Sequence, residues 1–139
     1  MEKILIINGP NLNLLGKREP LLYGAESFEE YFGQLQSRFP ETKLAYVQGN
    51  SEGEVIDALH RAGEEVQGVV LNPGAFTHSS IAIADAVRAI DIPVVEVHIS
   101  NVFAREAFRH KSFVSPVARG VIAGMGLKGY DAAIGFLIA

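Results

Sequence analysis

Arg18 stands five residues before Tyr23, inside a polar, glycine-punctuated stretch that runs from Asn8 to Gly24. Arginine is protonated at any working pH, and a guanidinium near a phenol favours the phenolate, so the pair could supply a strong base at neutral pH. The same two residues also fit a solvated arginine and a tyrosine ring packed beneath a loop, and their spacing leaves both open. Two later clusters hold groups that can move protons or bind anions: Asn72-Pro73-Gly74-Ala75-Phe76-Thr77-His78-Ser79-Ser80 and Glu96-Val97-His98-Ile99-Ser100-Asn101. For His98 taken alone, a hydrogen-bonded histidine at a strand end is an equal alternative.

The elements that must position these residues alternate between two periods. Ile4-Leu5-Ile6-Ile7 reads as a buried strand that empties into the long polar loop. Loops of that length in a small domain tend to be lids or binding loops. Lys17 to Gly24, bounded by glycines and interrupted by Pro20, reads as a lid that closes over a ligand. Phe28, Tyr31, Phe32, Leu35 and Phe39 fall at helical spacing behind a Ser27/Glu30 capping box, and Pro40 ends that helix. Leu44 to Val47 is a strand. Ser51 and Glu54 open a helix carrying Val55, Ile56, Leu59 and Ala62, with Gly63 suited to its end.

Val66 to Leu71 is a third strand, followed by a helix from Ile81 to Ile90 lined by Ile81, Ala84, Val87 and Arg88. Ile92 to Val97 is a fourth strand and Gly120 to Gly124 a fifth. Tyr130, Ala133, Ile134 and Leu137 mark a closing helix. Strands alternating with helices imply an α/β domain, a doubly wound five-stranded parallel sheet with helices on both faces. The number of units suggests the flavodoxin-like order 2-1-3-4-5, with residues 1–139 as a single domain. In such a sheet ligands bind beyond the carboxyl ends of the strands. The first, third and fourth strands all end in polar clusters, so three independent segments converge on one edge.

Composition narrows the function. The chain has 139 residues, a net charge of -4 and no cysteine. No Lys/Arg cluster offers an electrostatic footprint for nucleic acid, and the absence of cysteine removes disulfides, thiolate metal sites and a cysteine nucleophile. Gly9, Gly16 and Gly24 are too far apart for a dinucleotide fingerprint, and no phosphate-binding P-loop is present. The glycine run from Gly120 to Gly126 is read as close packing around the last strand. His60, His78, His98 and His110 show no zinc-helix spacing, and His60 reads as solvated, so the signal for a metal is weak. The start of the chain is a strand rather than a secretory signal, and no apolar run is long enough to span a bilayer, which leads to the expectation of a cytoplasmic protein without a membrane partner. A hydrophobic fraction of 48% suggests that other subunits cover part of the apolar surface.

Four motifs in order, N-G-P-N-L-N-L-L-G-x-R-x-P-x-x-Y-G, N-P-G-A-F-T-H-S-S, V-E-V-H-I-S-N followed by R-E-x-F-R, and G-V-I-A-G-x-G-x-x-G-Y, closely resemble the type II 3-dehydroquinate dehydratases over nearly the whole chain. The resemblance implies cofactor-free dehydration of 3-dehydroquinate to 3-dehydroshikimate, in a dodecamer built as a tetramer of trimers. By resemblance Tyr23 is the base, Arg18 lowers the cost of its phenolate, His98 protonates the leaving hydroxyl, and Asn11 helps hold the enolate oxygen through water. Glu96, two residues before His98 on one strand, faces the same side and could orient the imidazole. The backbone N–H groups of Ile99 and Ser100, the Ser100 hydroxyl and Asn72 match the carboxylate-binding set, and His78 and Arg109 would hold ring hydroxyls. The aspartate matching Asp85 reaches a neighbouring subunit's site, although on sequence alone Asp85 reads as a solvated helix residue. A flavodoxin-like module that binds a small anionic ligand without chemistry is the alternative.

Overall fold

The apolar alternation along the strands becomes two cores on opposite faces of one sheet. A computed structural model describes residues 2–139. Strands β1 (Lys3–Asn8), β2 (Lys43–Gln48), β3 (Gly68–Asn72), β4 (Val94–His98) and β5 (Gly120–Ala123) pair in parallel in the order β2-β1-β3-β4-β5, the expected flavodoxin-like arrangement. Ile4, Ile6, Val70, Val95 and Val97 face α2 (Phe28–Arg38) and α5 (Lys128–Ile138), while Ile7, Val69, Leu71 and Val94 face α3 (Glu52–Glu65) and α4 (Ile81–Ala89). Every residue of β3 and β4 is buried, as a central parallel strand covered on both faces requires.

Both expected capping boxes are formed: Ser27 and Glu30 open α2, and Ser51 and Glu54 open α3. Register places Asn8 opposite both Gln48 and Asn72, so the carboxyl ends of β2, β1 and β3 carry one row of amides.

Three local readings change. Helix α3 does not stop at Gly63 but runs on to Glu65; a Cβ at Gly63 would lie 2.9 Å from Ile90 Cγ2, so glycine serves close packing there rather than termination. The buried face of α4 is Ile83, Ala84, Ala86 and Val87, with Ile81 and Arg88 outside. So apolar a helix gives a weak periodic signal, and its rotation is settled by what it packs against. The stretch after β1 is not a bare loop: it holds a 3-10 turn over Leu12–Leu14 and one helical turn, α1 (Pro20–Tyr23), started by Pro20 at its first position. Among the described residues no helix is long and apolar enough to cross a membrane.

Candidate active site

The carboxyl edge of the sheet holds a cavity of about 160 Å³, of the order that takes one six-membered ring. Nine expected residues line it: Asn11, Arg18, Tyr23, Asn72, His78, His98, Ile99, Ser100 and Arg109. Glu96 stands behind His98, and Asp85 lies apart, exposed on α4 and paired with Arg88 at 3.1 Å. The convergence has a simple cause. The segment after β1 is tied down at Gly9, whose N–H donates to Asn72 O at 2.7 Å and whose carbonyl accepts from Gln48 Nε2 at 3.1 Å. A Cβ at Gly9 would meet Pro73 O at 2.7 Å, so only glycine lets the two loops approach. Asn11 then adopts a left-handed conformation with φ 70°, its N–H donating to Asn50 Oδ1 at 3.0 Å. Asparagine is among the few residues that tolerate that region, which is often occupied at functional sites.

Tyr23 is half-buried: its ring packs against the core and also lines the cavity. Arg18 lies over its ring, Cζ 5.0 Å from the centroid, in cation-π geometry. The hydroxyl is engaged by a different arginine. Arg105 Nη1 donates to Tyr23 Oη at 3.0 Å and to Ser100 Oγ at 3.1 Å. Arg105 belongs to the R-E-x-F-R motif but had no expected role, and only its second arginine, Arg109, did. Glu106 between them holds both, at 3.8 Å from Arg105 and 3.3 Å from Arg109. The alternation of Arg105, Glu106 and Arg109 was the available signal for this pairing.

His98 and Glu96 share one face of β4, as their spacing requires. Glu96 is fully buried; it accepts from His98 Nε2 and Thr77 Oγ1 on Oε2 and from Ser115 Oγ on Oε1, the latter two at 2.5 Å. Because Thr77 gives its only hydroxyl hydrogen to Glu96, Ser112 Oγ, at 2.5 Å, donates to Thr77. Burial alone would push the Glu96 carboxyl up. The hydrogen bond and charge of His98, with the Ser115 and Thr77 hydroxyls, outweigh it and hold the group below its usual 4.5. Glu96 is therefore an anion that fixes the His98 ring by Nε2, and Nδ1 has no partner among the described residues. His78 donates Nδ1 to the Lys111 carbonyl at 2.8 Å and stacks on His98 with centroids 6.4 Å apart.

The edge is thus a small cavity lined by three arginines, two histidines and a phenol. It combines a candidate base in Tyr23, a candidate acid in His98 and donors for an anion at Ser100, Asn72 and the backbone of Ile99 and Ser100. Among the described residues no group of three or more His, Cys, Asp or Glu could hold a metal ion.

Comparison with known proteins shows the family. The family model for class II dehydroquinase matches residues 2–138. A 3-dehydroquinate dehydratase of Bacillus licheniformis is 55% identical over 141 residues, covering 99% of this chain and 97% of its own. The crystal structure of type II dehydroquinase from Butyrivibrio crossotus superposes with a TM-score of 0.96 at 46% identity, covering 99% of this chain and 98% of that one. The type II dehydroquinase of Propionibacterium acnes superposes with a TM-score of 0.94 at 43% identity, covering 99% and 96%. With the family model matching almost end to end, the chain belongs to the class II dehydroquinase family.

Proposed function

We propose that this single-domain chain dehydrates 3-dehydroquinate to 3-dehydroshikimate in the shikimate pathway of aromatic amino acid biosynthesis, without a cofactor, in the cytoplasm. The observation that carries the reading is the meeting of a phenol under two guanidiniums with a carboxylate-anchored histidine across one ring-sized cavity, in a chain of this family. In an anti elimination Tyr23, as phenolate, takes the proton from the carbon next to the ketone, and an enolate forms. Asn11 holds the enolate oxygen through water. The carbonyl re-forms as the carbon–hydroxyl bond breaks, and His98 gives its proton to the departing hydroxyl, which leaves as water. Arg105 on the Tyr23 hydroxyl and Arg18 over its ring set two positive charges against Tyr23. Glu96 stabilises the charged imidazole. Asn72, Ser100 and the N–H of Ile99 take the substrate carboxylate, while His78 and Arg109 take its hydroxyls.

The chain acts as a homododecamer, a tetramer of trimers, in which Asp85 enters a neighbouring subunit's cavity. In support, Asp85 does not line its own chain's cavity, and Ile81, one turn before it, is an exposed apolar residue, as are Phe103 and Val121.

The deciding experiment mixes chelator-treated protein with 3-dehydroquinate and follows the ultraviolet absorbance of the conjugated enone. A rise that Tyr23→Phe abolishes establishes the reaction. A flat trace from folded protein leaves the alternative of a binding module for a small anion.

A further inference from the structure

The Gly-Tyr pair that closes the last motif has no part in the chemistry above, yet it reaches the cavity wall. Tyr130 is fully buried on α5, its ring 5.0 Å from that of Phe28. Gly129 lets the helix close in, since a Cβ there would lie 3.3 Å from Val97 Cγ1. The Tyr130 hydroxyl emerges between the ends of β1 and β3. It donates to Asn8 Oδ1 at 2.8 Å and accepts from Asn72 Nδ2 at 2.9 Å.

The direction of this relay is set by one donor that cannot rotate. The Gly74 N–H donates to Asn72 Oδ1 at 3.1 Å, which turns the Asn72 amide so that Nδ2 faces Tyr130. With Nδ2 donating, the Tyr130 hydroxyl must accept from Asn72 and give its own hydrogen to Asn8. Asn8 turns its Oδ1 to Tyr130, and among the described residues its buried Nδ2 has no partner. One Asn72 N–H is spent on Tyr130, and the second has no partner among the described residues, on a side chain that is buried yet lines the cavity.

We propose that Tyr130 is a positioning residue: the Gly74 N–H sets which way the Asn72 amide faces, and the Asn8–Tyr130–Asn72 relay holds its Nδ2 end in place with the second N–H toward the cavity, so that this point of the wall selects a hydrogen-bond acceptor, the carboxylate oxygen of the substrate. The inference rests on the dehydratase reading for the identity of that oxygen, and on the relay together with the Gly74 N–H for the orientation of the amide.

The test is Tyr130→Phe, which keeps the ring and removes the hydroxyl, with Asn8→Ala as a second variant that removes the far end of the relay. Folding of each is checked by circular dichroism and thermal melting. Tyr130→Phe is expected to raise KM for 3-dehydroquinate about tenfold with kcat within about twofold, and Asn8→Ala to raise KM about threefold, fold-changes in the range of a single lost hydrogen bond. An unchanged KM in folded Tyr130→Phe, or a loss confined to kcat, overturns the proposal. Should Tyr130→Phe not fold, an unchanged KM in Asn8→Ala does so. If the wild type itself does not turn over 3-dehydroquinate, the dehydratase reading has failed rather than the relay. The ligand-free crystal structure of Tyr130→Phe then decides: an Asn72 amide that has rotated or split into two conformers supports the relay, and one unmoved in a single conformer overturns it.

Discussion

Arg105 Nη1 donates to the Tyr23 hydroxyl at 3.0 Å, and the same nitrogen donates to Ser100 Oγ at 3.1 Å. One guanidinium thus joins the proposed base to the proposed carboxylate subsite. A lysine keeps the charge but lacks the planar fork, so Arg105→Lys is expected to lower kcat/KM roughly 10²-fold, within the range of acid–base effects. Arg18→Ala should also reduce turnover. Steady-state kinetics checks both, and an unaltered rate in Arg105→Lys would leave activation of the phenol to Arg18.

Tyr23 both packs and faces the cavity, so its two roles separate on mutation. Tyr23→Phe keeps the ring and the cation-π contact with Arg18. Turnover is expected to fall roughly 10²–10⁴-fold, while calorimetric binding of 3-dehydroquinate, no longer consumed, stays near the wild-type affinity. A parallel loss of binding would make Tyr23 a structural residue.

The buried Glu96 carboxyl titrates below its usual 4.5 in the folded chain. A group whose pKa is lowered by folding binds fewer protons folded than unfolded, so its contribution to stability is present above the unfolded value and is lost as pH falls through the folded one. Thermal melting from pH 7 downward should show the wild type losing its advantage over Glu96→Gln only below about pH 4.5. At neutral pH the same variant should lose roughly 10²-fold in kcat, because His98 is no longer held by an anion. A stability difference between the two proteins that does not change with pH would show that Glu96 is not an anion in the folded state.

Far from the cavity, Asp131 at the start of α5 accepts from the buried Tyr31 hydroxyl and from Arg38 Nε at 2.5 Å. Burial first, then the bond to Asp131, pushes the Tyr31 phenol above its ordinary range. Asp131→Ala leaves that hydroxyl unpaired and should cost about 1–3 kcal/mol in urea unfolding, with kcat unchanged. Loss of activity at full stability would contradict this purely structural role.

Asp85 pairs only with Arg88 among the described residues and lies outside its own chain's cavity. If it serves a neighbour, Asp85→Ala and Tyr23→Phe should each be inactive alone. Mixed and reassembled in equal amounts, they should recover about a quarter of wild-type activity, the fraction of sites with both residues intact in a closed symmetric assembly. No recovery in mixed oligomers would confine Asp85 to its own helix.

The sheet, its order and the edge at which Asn11, Asn72, His78, His98 and Ser100 meet were legible in the sequence, because strand alternation, capping boxes and right-handed crossovers are local or topological rules. The Glu96–His98 pair was legible for the same reason, as a two-residue spacing on one strand. The tertiary structure alone decided that Arg105, 82 residues from Tyr23, takes its hydroxyl, and that the Tyr130 hydroxyl, 58 residues from Asn72, meets its amide. It also decided the buried face of α4 and the passage of α3 through Gly63. No period links such residues. Whether they touch depends on how the irregular segment between β4 and β5 folds back over the edge, and on how closely each helix seats on the sheet, which are properties of the packed whole rather than of any window of the chain.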